Sequence, residues 1–170
     1  MKKIGILSDT HSCWDDRYAR HFADCDEIWH AGDLGDISIL QQLQNVCPTV
    51  RAVSGNIDGA VVRRACPELL TFEVEGVKVL LTHIGGYPGK YAPGMKSLLR
   101  DKGIRLFVDG HSHILKVIPD PELRLLHVNP GAAGYHGWQR VRTLIKLTLD
   151  AGHITACDVI ELGKPQFSKS

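Results

Sequence analysis

The chain opens on a short aliphatic run, residues 3–8, that ends in polar residues, and this pattern of apolar strand followed by polar loop then recurs. Such a run predicts a buried strand that delivers a loop at its carboxyl end. Residues 14–23 read as a helix and 27–30 as a second strand ending in Ala31-Gly32-Asp33. Asp36 is placed to cap a helix in which Ile37, Leu40, Leu43 and Val46 recur at helical spacing, and Cys47-Pro48 closes it. Residues 49–53 form a third strand, followed by Ser54-Gly55-Asn56. This alternation of strands and helices predicts a parallel or mixed sheet with helices against it.

After residue 68 the pattern changes. Residues 69–74 and 77–82 are strands joined by a tight turn at Glu75-Gly76. A helix follows over 93–102, stopped by Gly103, and a strand over 105–109 runs into Gly110-His111-Ser112-His113. The last third reads as antiparallel strands over 115–118, 123–128, 141–149 and 153–160, turned at Asp120-Pro121 and Asp150-Ala151-Gly152. Residues 164–170 read as a C-terminal tail, and no repeat or linker divides residues 1–163, so one domain is expected. The whole pattern is α/β, with two packed sheets flanked by helices.

Composition narrows the function classes. A 44% hydrophobic and 23% charged chain of 170 residues is that of an ordinary globular protein with a substantial core. Twenty basic residues against 19 acidic ones give a net charge of +1, which supplies no electrostatic reason for binding nucleic acid or an anionic membrane. The apolar run after Met1-Lys2-Lys3 is too short for a signal peptide, and no stretch approaches a membrane span. Five cysteines, with no C-x-x-C pair, read as reduced thiols and point to the cytoplasm.

The candidate chemistry sits just beyond strand ends: Asp9-Thr10-His11, Gly32-Asp33, Gly55-Asn56, His83, and Gly110-His111-Ser112-His113. In an open α/β sheet such positions converge on one crevice. Read as extended segments, Asp9 with His11 and His111 with His113 each direct two side chains the same way. Carboxylate, imidazole and amide oxygens suit Mn²⁺, Fe²⁺, Co²⁺, Ni²⁺ or Zn²⁺ without a thiolate. Singly, Asp33 and Asn56 would be ordinary turn residues and His83 a satisfied strand-end histidine; Gly-His-Ser-His is the most specific single element.

In that order the motifs resemble those of the calcineurin-like metallophosphoesterases, and more closely the small single-domain prokaryotic phosphodiesterases. The resemblance runs from Lys3 to about Gly134 and includes Gly55-Asn56-Ile57-Asp58 and Asn129-Pro130-Gly131. It implies a four-layer α/β/β/α sandwich, with two mixed sheets flanked by helices, and a two-metal site. Carried over by position, Asp9, His11 and His113 hold the first metal, Asn56, His83 and His111 the second, and Asp33 bridges them. It implies hydrolysis of a small phosphodiester by a hydroxide held between two divalent ions, Mn²⁺ foremost. Asp33 and His11 would be the residues nearest the chemistry.

Three positions depart from the family pattern. Ile57 stands where many larger members have a histidine thought to assist the leaving group, Ser12 replaces a glycine, and Ile84 separates His83 from Gly85. Tyr87, Tyr91, His136, Trp138 and Arg140 lie in loops that can flank a site, with packing or exposure as the default reading of each. A homodimer is in keeping with the family, though no stripe marks an interface. The alternative is a non-catalytic scaffold, because a retromer subunit of eukaryotic vacuolar sorting shares the fold and similar motifs.

Overall fold

In the computed structural model, residues 1–163 are described; the predicted tail at 164–170 lies outside them. Two five-stranded mixed sheets stack face to face. The first has the order β12-β11-β1-β2-β3, built from β1 (Lys2–Leu7), β2 (Glu27–His30), β3 (Val50–Ala52), β11 (Arg142–Asp150) and β12 (His153–Gly163). Its β1, β2 and β3 run parallel, and β11 and β12 are added antiparallel. The second has the order β4-β5-β8-β10-β9, from β4 (Leu69–Val74), β5 (Val77–Thr82), β8 (Leu106–Val108), β9 (Leu115–Asp120) and β10 (Leu125–Pro130). There β5, β8 and β10 are parallel, with β4 and β9 antiparallel at the edges.

Side-chain alternation along the strands sorts the apolar residues into layers. Ile4 and Ile6 of β1 face the core between the sheets, where Trp29, Val79, Leu81, Val108 and Ile145 also pack. Leu7 and Ile28 face the other way, onto α1 (Asp16–Phe22) and α2 (Ser38–Val46). Leu80 and Phe107 face out of the second sheet onto α4 (Met95–Asp101). The result is the four-layer α/β/β/α sandwich with two mixed sheets. Gly5 is required by this packing: a β-carbon there would lie 2.6 Å from the Phe22 ring, so its absence lets α1 settle on the sheet.

Local signals account for most boundaries. The Asp15 carboxylate accepts the Arg17 N–H and caps α1, and Asp36 accepts the Ser38 N–H at the start of α2. Glu75 and Gly76 both have positive φ, the requirement of the two-residue turn that suits twisted hairpins. Past α4, Gly103 (φ 62°) donates to Arg100 O while Ile104 donates to Leu99 O, a Schellman end sealed by the Leu99–Ile104 contact. Two elements are absent from the sequence pattern: the short α3 (Ala60–Ala65) and the small hairpin of β6 (Gly86–Tyr87) and β7 (Lys90–Tyr91). Neither has an amphipathic period long enough to register. Among the described residues, no helix is long and apolar enough to cross a membrane.

Candidate metal centre

The loops that follow β1, β2, β3, β5 and β8 meet at one end of the two sheets. They are zipped together by backbone bonds: Asp9 N–H to Gly32 O, His11 N–H to Asp33 O, Ser12 N–H to Leu34 O, and Gly110 N–H to His83 O. This pairing holds Asp9, His11, Asp33, His111 and His113 at positive φ, between 45° and 71°. The expectation that Asp9-Thr10-His11 and His111-Ser112-His113 are extended is therefore wrong. Left-handed backbone is uncommon outside glycine even for Asp and His, which tolerate it best, and five such residues in one site mark surroundings that dictate it.

The turned backbone distributes the side chains differently from simple alternation. Asp9, His11 and His113 form one group of mutually close ligand atoms, and Asp33, His83 and His111 form a second. His111 and His113 thus part company, one to each group. Asp9 Oδ1 lies 3.2 Å from His113 Nε2 and 3.8 Å from His11 Nε2. Asn56 Oδ1 joins the second group, 3.0 Å from both His83 Nε2 and His111 Nδ1. Asp33 Oδ2 sits between the groups, 3.4 Å from His11 Nε2 and 3.2 Å from His83 Nε2. All seven residues named from the sequence are brought together.

Four of the ligands, Asp9, Asp33, His83 and His113, turn one atom inward because the other polar atom of the side chain is already committed. Asp9 Oδ2 accepts Ser8 Oγ–H at 2.6 Å and the His111 N–H at 3.2 Å, and Asp33 Oδ1 accepts the Ile57 N–H at 3.1 Å. His83 Nδ1 donates to Ala31 O at 2.7 Å, and His113 Nδ1 donates to Gln139 Oε1 at 3.0 Å. These contacts select the tautomers that turn both Nε2 lone pairs inward. Among the described residues, buried Asp9 Oδ1 and His11 Nε2 have no hydrogen-bond partner. Unpaired buried polar atoms are rare. A cation placed among these oxygens and nitrogens satisfies both, so the residues fit divalent metal.

The electrostatics agree. Burial works to raise Asp9 and Asp33, yet the histidines beside them hold both carboxyls well below the usual range. His11 is raised to about 9, first by Asp33 and then by Asp9. His113 is raised chiefly by Asp9; His83 is raised by Asp33 and Asp9 against the opposing effect of burial. The carboxylates therefore stay ionised, and protons compete with metal for the imidazoles.

Several further residues support the site, and two of them, Asp58 and Asn129, lie within the sequence motifs Gly55-Asn56-Ile57-Asp58 and Asn129-Pro130-Gly131. Asp58 accepts from the N–H groups of Leu34, Gly35 and Gly55, and so joins the β2 and β3 loops. Asn129 donates to Gly110 O and Ser112 Oγ, which fixes the Gly-His-Ser-His loop. Gln139 also donates to Gly134 O and His136 O, and His136 stacks on His11 with ring centroids 4.7 Å apart. Tyr87 and Tyr91 line a groove beside His111, whereas Trp138 is 97% exposed and Arg140 faces outward. His136 is among the loop residues the sequence offers as flanking a site, whereas only spacing to a known ligand could have hinted at Gln139.

His30 lies beneath the centre, fully buried, with its ring bonded to the Thr10 hydroxyl and the Gly32 N–H. Burial holds it down to about 4. Its folded value is below its ordinary value of 6.5, so the unfolded chain takes up the proton first as pH falls. The thermal midpoint is therefore expected to fall from pH 6.5 towards 4, and His30→Asn should flatten that slope. An unchanged slope in the variant would contradict the assignment.

The fold and its donor set together define a metal-binding α/β/β/α sandwich. The chain belongs to the calcineurin-like phosphoesterase superfamily, whose domain profile matches residues 1–152. A probable metallophosphoesterase of Methanothermobacter thermautotrophicus is 32% identical over 138 residues, covering 76% of each chain. A solved archaeal phosphodiesterase superposes with a TM-score of 0.75 at 19% identity, covering 94% of this chain and 99% of its own. Vps29 of Entamoeba histolytica, complexed with Zn²⁺, superposes at 0.72 with 15% identity, covering 94% and 98%. At those identities the two structures establish likeness of fold.

Proposed function

We propose that this metal-dependent phosphoesterase is a phosphodiesterase that cleaves small diesters at a two-metal centre. Asp9, His11 and His113 would hold one ion, Asn56, His83 and His111 the other, and Asp33 would serve both. The observation that carries the reading is the complete donor set, in which Asp9 Oδ1 and His11 Nε2 are buried without a partner. Bound there, two divalent ions supply Lewis acidity that lowers the pKa of water and stabilises charge on a phosphoryl group.

The chain's own residues do the rest. Asp33 Oδ2, placed between the two groups, would set their separation, while the Ile57 N–H holds its other oxygen. His11 would sit at the edge of the first group nearest the reacting ester. Ile57, next to Asn56 and 47% exposed, cannot give a proton to a departing alkoxide. Diesters with good leaving groups, aryl esters among them, are the substrates this centre suits best. The donor set suits Mn²⁺, and the five free cysteines suit a reducing cytoplasm.

The test is direct. Purified protein should carry divalent metal, lose hydrolysis of bis(4-nitrophenyl) phosphate on chelation, and regain it with Mn²⁺ or Ni²⁺. Protein that reloads metal yet stays inert towards diesters and monoesters alike would support the scaffold alternative, which the likeness of fold to Vps29 favours.

A further inference from the structure

Beside the second metal group runs a groove of about 420 Å³ in which His111 is the one proposed metal ligand. Its wall is the β6–β7 hairpin and its end is the His111 loop, so it meets the candidate metal centre at His111. The lining is aromatic and apolar, with Ile84, Tyr87, Tyr91 and Pro93 prominent. Ile84, 48% exposed, lines both this groove and the neighbouring cavity that reaches Asn56 and His83.

We propose that this groove seats one ester substituent of the substrate, a planar aromatic group of nucleobase size, while the phosphate lies at the metals. The proposal rests on the phosphodiesterase reading and adds the substrate class. Volume and lining are those of a small-molecule site, in which apolar walls supply affinity and a few polar groups set orientation. Lys116, half-buried, holds its ammonium 3.6 Å from the Tyr87 ring centroid and so presents positive charge at an aromatic face. Lys90 lies along the same wall. The one carboxylate in the lining, Asp109, is buried and bonded to His127 Nε2 at 2.7 Å. The mouth therefore favours a ligand that combines a flat ring with an anionic phosphate.

The groove is also preformed. The Tyr91 hydroxyl donates to Asp120 Oδ2 at 2.6 Å, and its ring lies 5.9 Å from that of Phe107. Ala92 N–H donates to Gly85 O at 3.0 Å and closes the hairpin base. A wall held in this way costs little ordering on binding. A second cavity, about 300 Å³, shares Ile84, reaches Asn56 and His83 of the candidate centre and is walled by Arg63 and Glu68, so it suits a solvated polar part of the same substrate.

Two measurements on the Mn²⁺-loaded full chain test the idea. The first compares kcat/KM for 4-nitrophenyl thymidine 5′-phosphate and methyl 4-nitrophenyl phosphate, which share a leaving group. A preference of about tenfold or more for the nucleoside ester is expected, falling to about parity in Tyr87→Ala. If that variant loses metal or folds poorly, Tyr87→Leu, which keeps bulk without a π face, carries the same expectation. The second is calorimetry with adenosine 5′-monophosphate and ribose 5-phosphate, which differ only by the base; the former should bind about tenfold tighter. Hydrolysis of both esters without preference, or a preference intact in both variants, overturns the groove. Inertness towards both esters, with the calorimetric difference intact, would instead overturn the hydrolytic reading and leave the groove standing.

Discussion

Asp33→Asn is expected to lower diester hydrolysis by about a thousandfold and to reduce bound metal from about two ions per chain to one or fewer. The substitution is nearly isosteric. Asparagine Oδ1 can still accept the Ile57 N–H, and asparagine tolerates the left-handed backbone at this position, where φ is 58°. What changes is the atom facing His11 Nε2 and His83 Nε2, where a charged oxygen gives way to a neutral amide. Loss of several kcal/mol of charge stabilisation corresponds to about three powers of ten in rate. Metal analysis beside steady-state kinetics checks both halves. A variant that keeps its metal and full activity would remove Asp33 from the proposed bridging role.

The second large effect concerns stability. Arg142, 1% exposed, donates through Nε to Ala133 O at 2.8 Å, through one terminal nitrogen to Asp15 at 3.1 Å, and through the other to the Tyr18 hydroxyl at 3.2 Å. Its guanidinium also lies 3.9 Å from the Tyr135 ring centroid. It thereby ties β11 to the cap of α1 and to the loop that carries His136 and Gln139. Arg142→Ala is expected to cost about 3 kcal/mol, the low end for a broken buried ion pair, because Asp15 keeps Arg17 at 2.7 Å. For a chain of this size the thermal midpoint should fall by about 6–12 °C. Arg142→Lys should recover only part, since an ammonium cannot reach three acceptors fixed by a planar fork. A melting point within a degree or two of the parent in Arg142→Ala would refute this account.

Much of this molecule was legible in its residues. The aliphatic runs at β1, β2 and β5, the turn at Glu75-Gly76 and the stop at Gly103 are local signals, and each acts within a few residues of itself. The position of Asp9, Asp33, Asn56, His83 and His111 just after strands was enough to expect one crevice, since parallel strands share a carboxyl end. Residues 60–65 and 86–91 were not legible, because a helix of one and a half turns and a two-residue strand have no period to read. Arg142 was not legible either: in sequence it is a charged residue at a strand start, and its three partners come from α1 and from the loop before β11.

By itself, then, the sequence determined the elements, their turns and the ligand types at each strand end, because all of these follow from neighbours along the chain. Only the tertiary structure decided that five candidate ligands adopt positive φ, and that Gln139 and Ala31 orient two of the imidazoles. Those outcomes depend on hydrogen bonds between loops far apart in sequence, such as Asp9 N–H to Gly32 O and His111 N–H to Asp9 Oδ2, the latter across 102 residues. The backbone turns where those distant partners draw it, and the direction of each side chain follows from that turn.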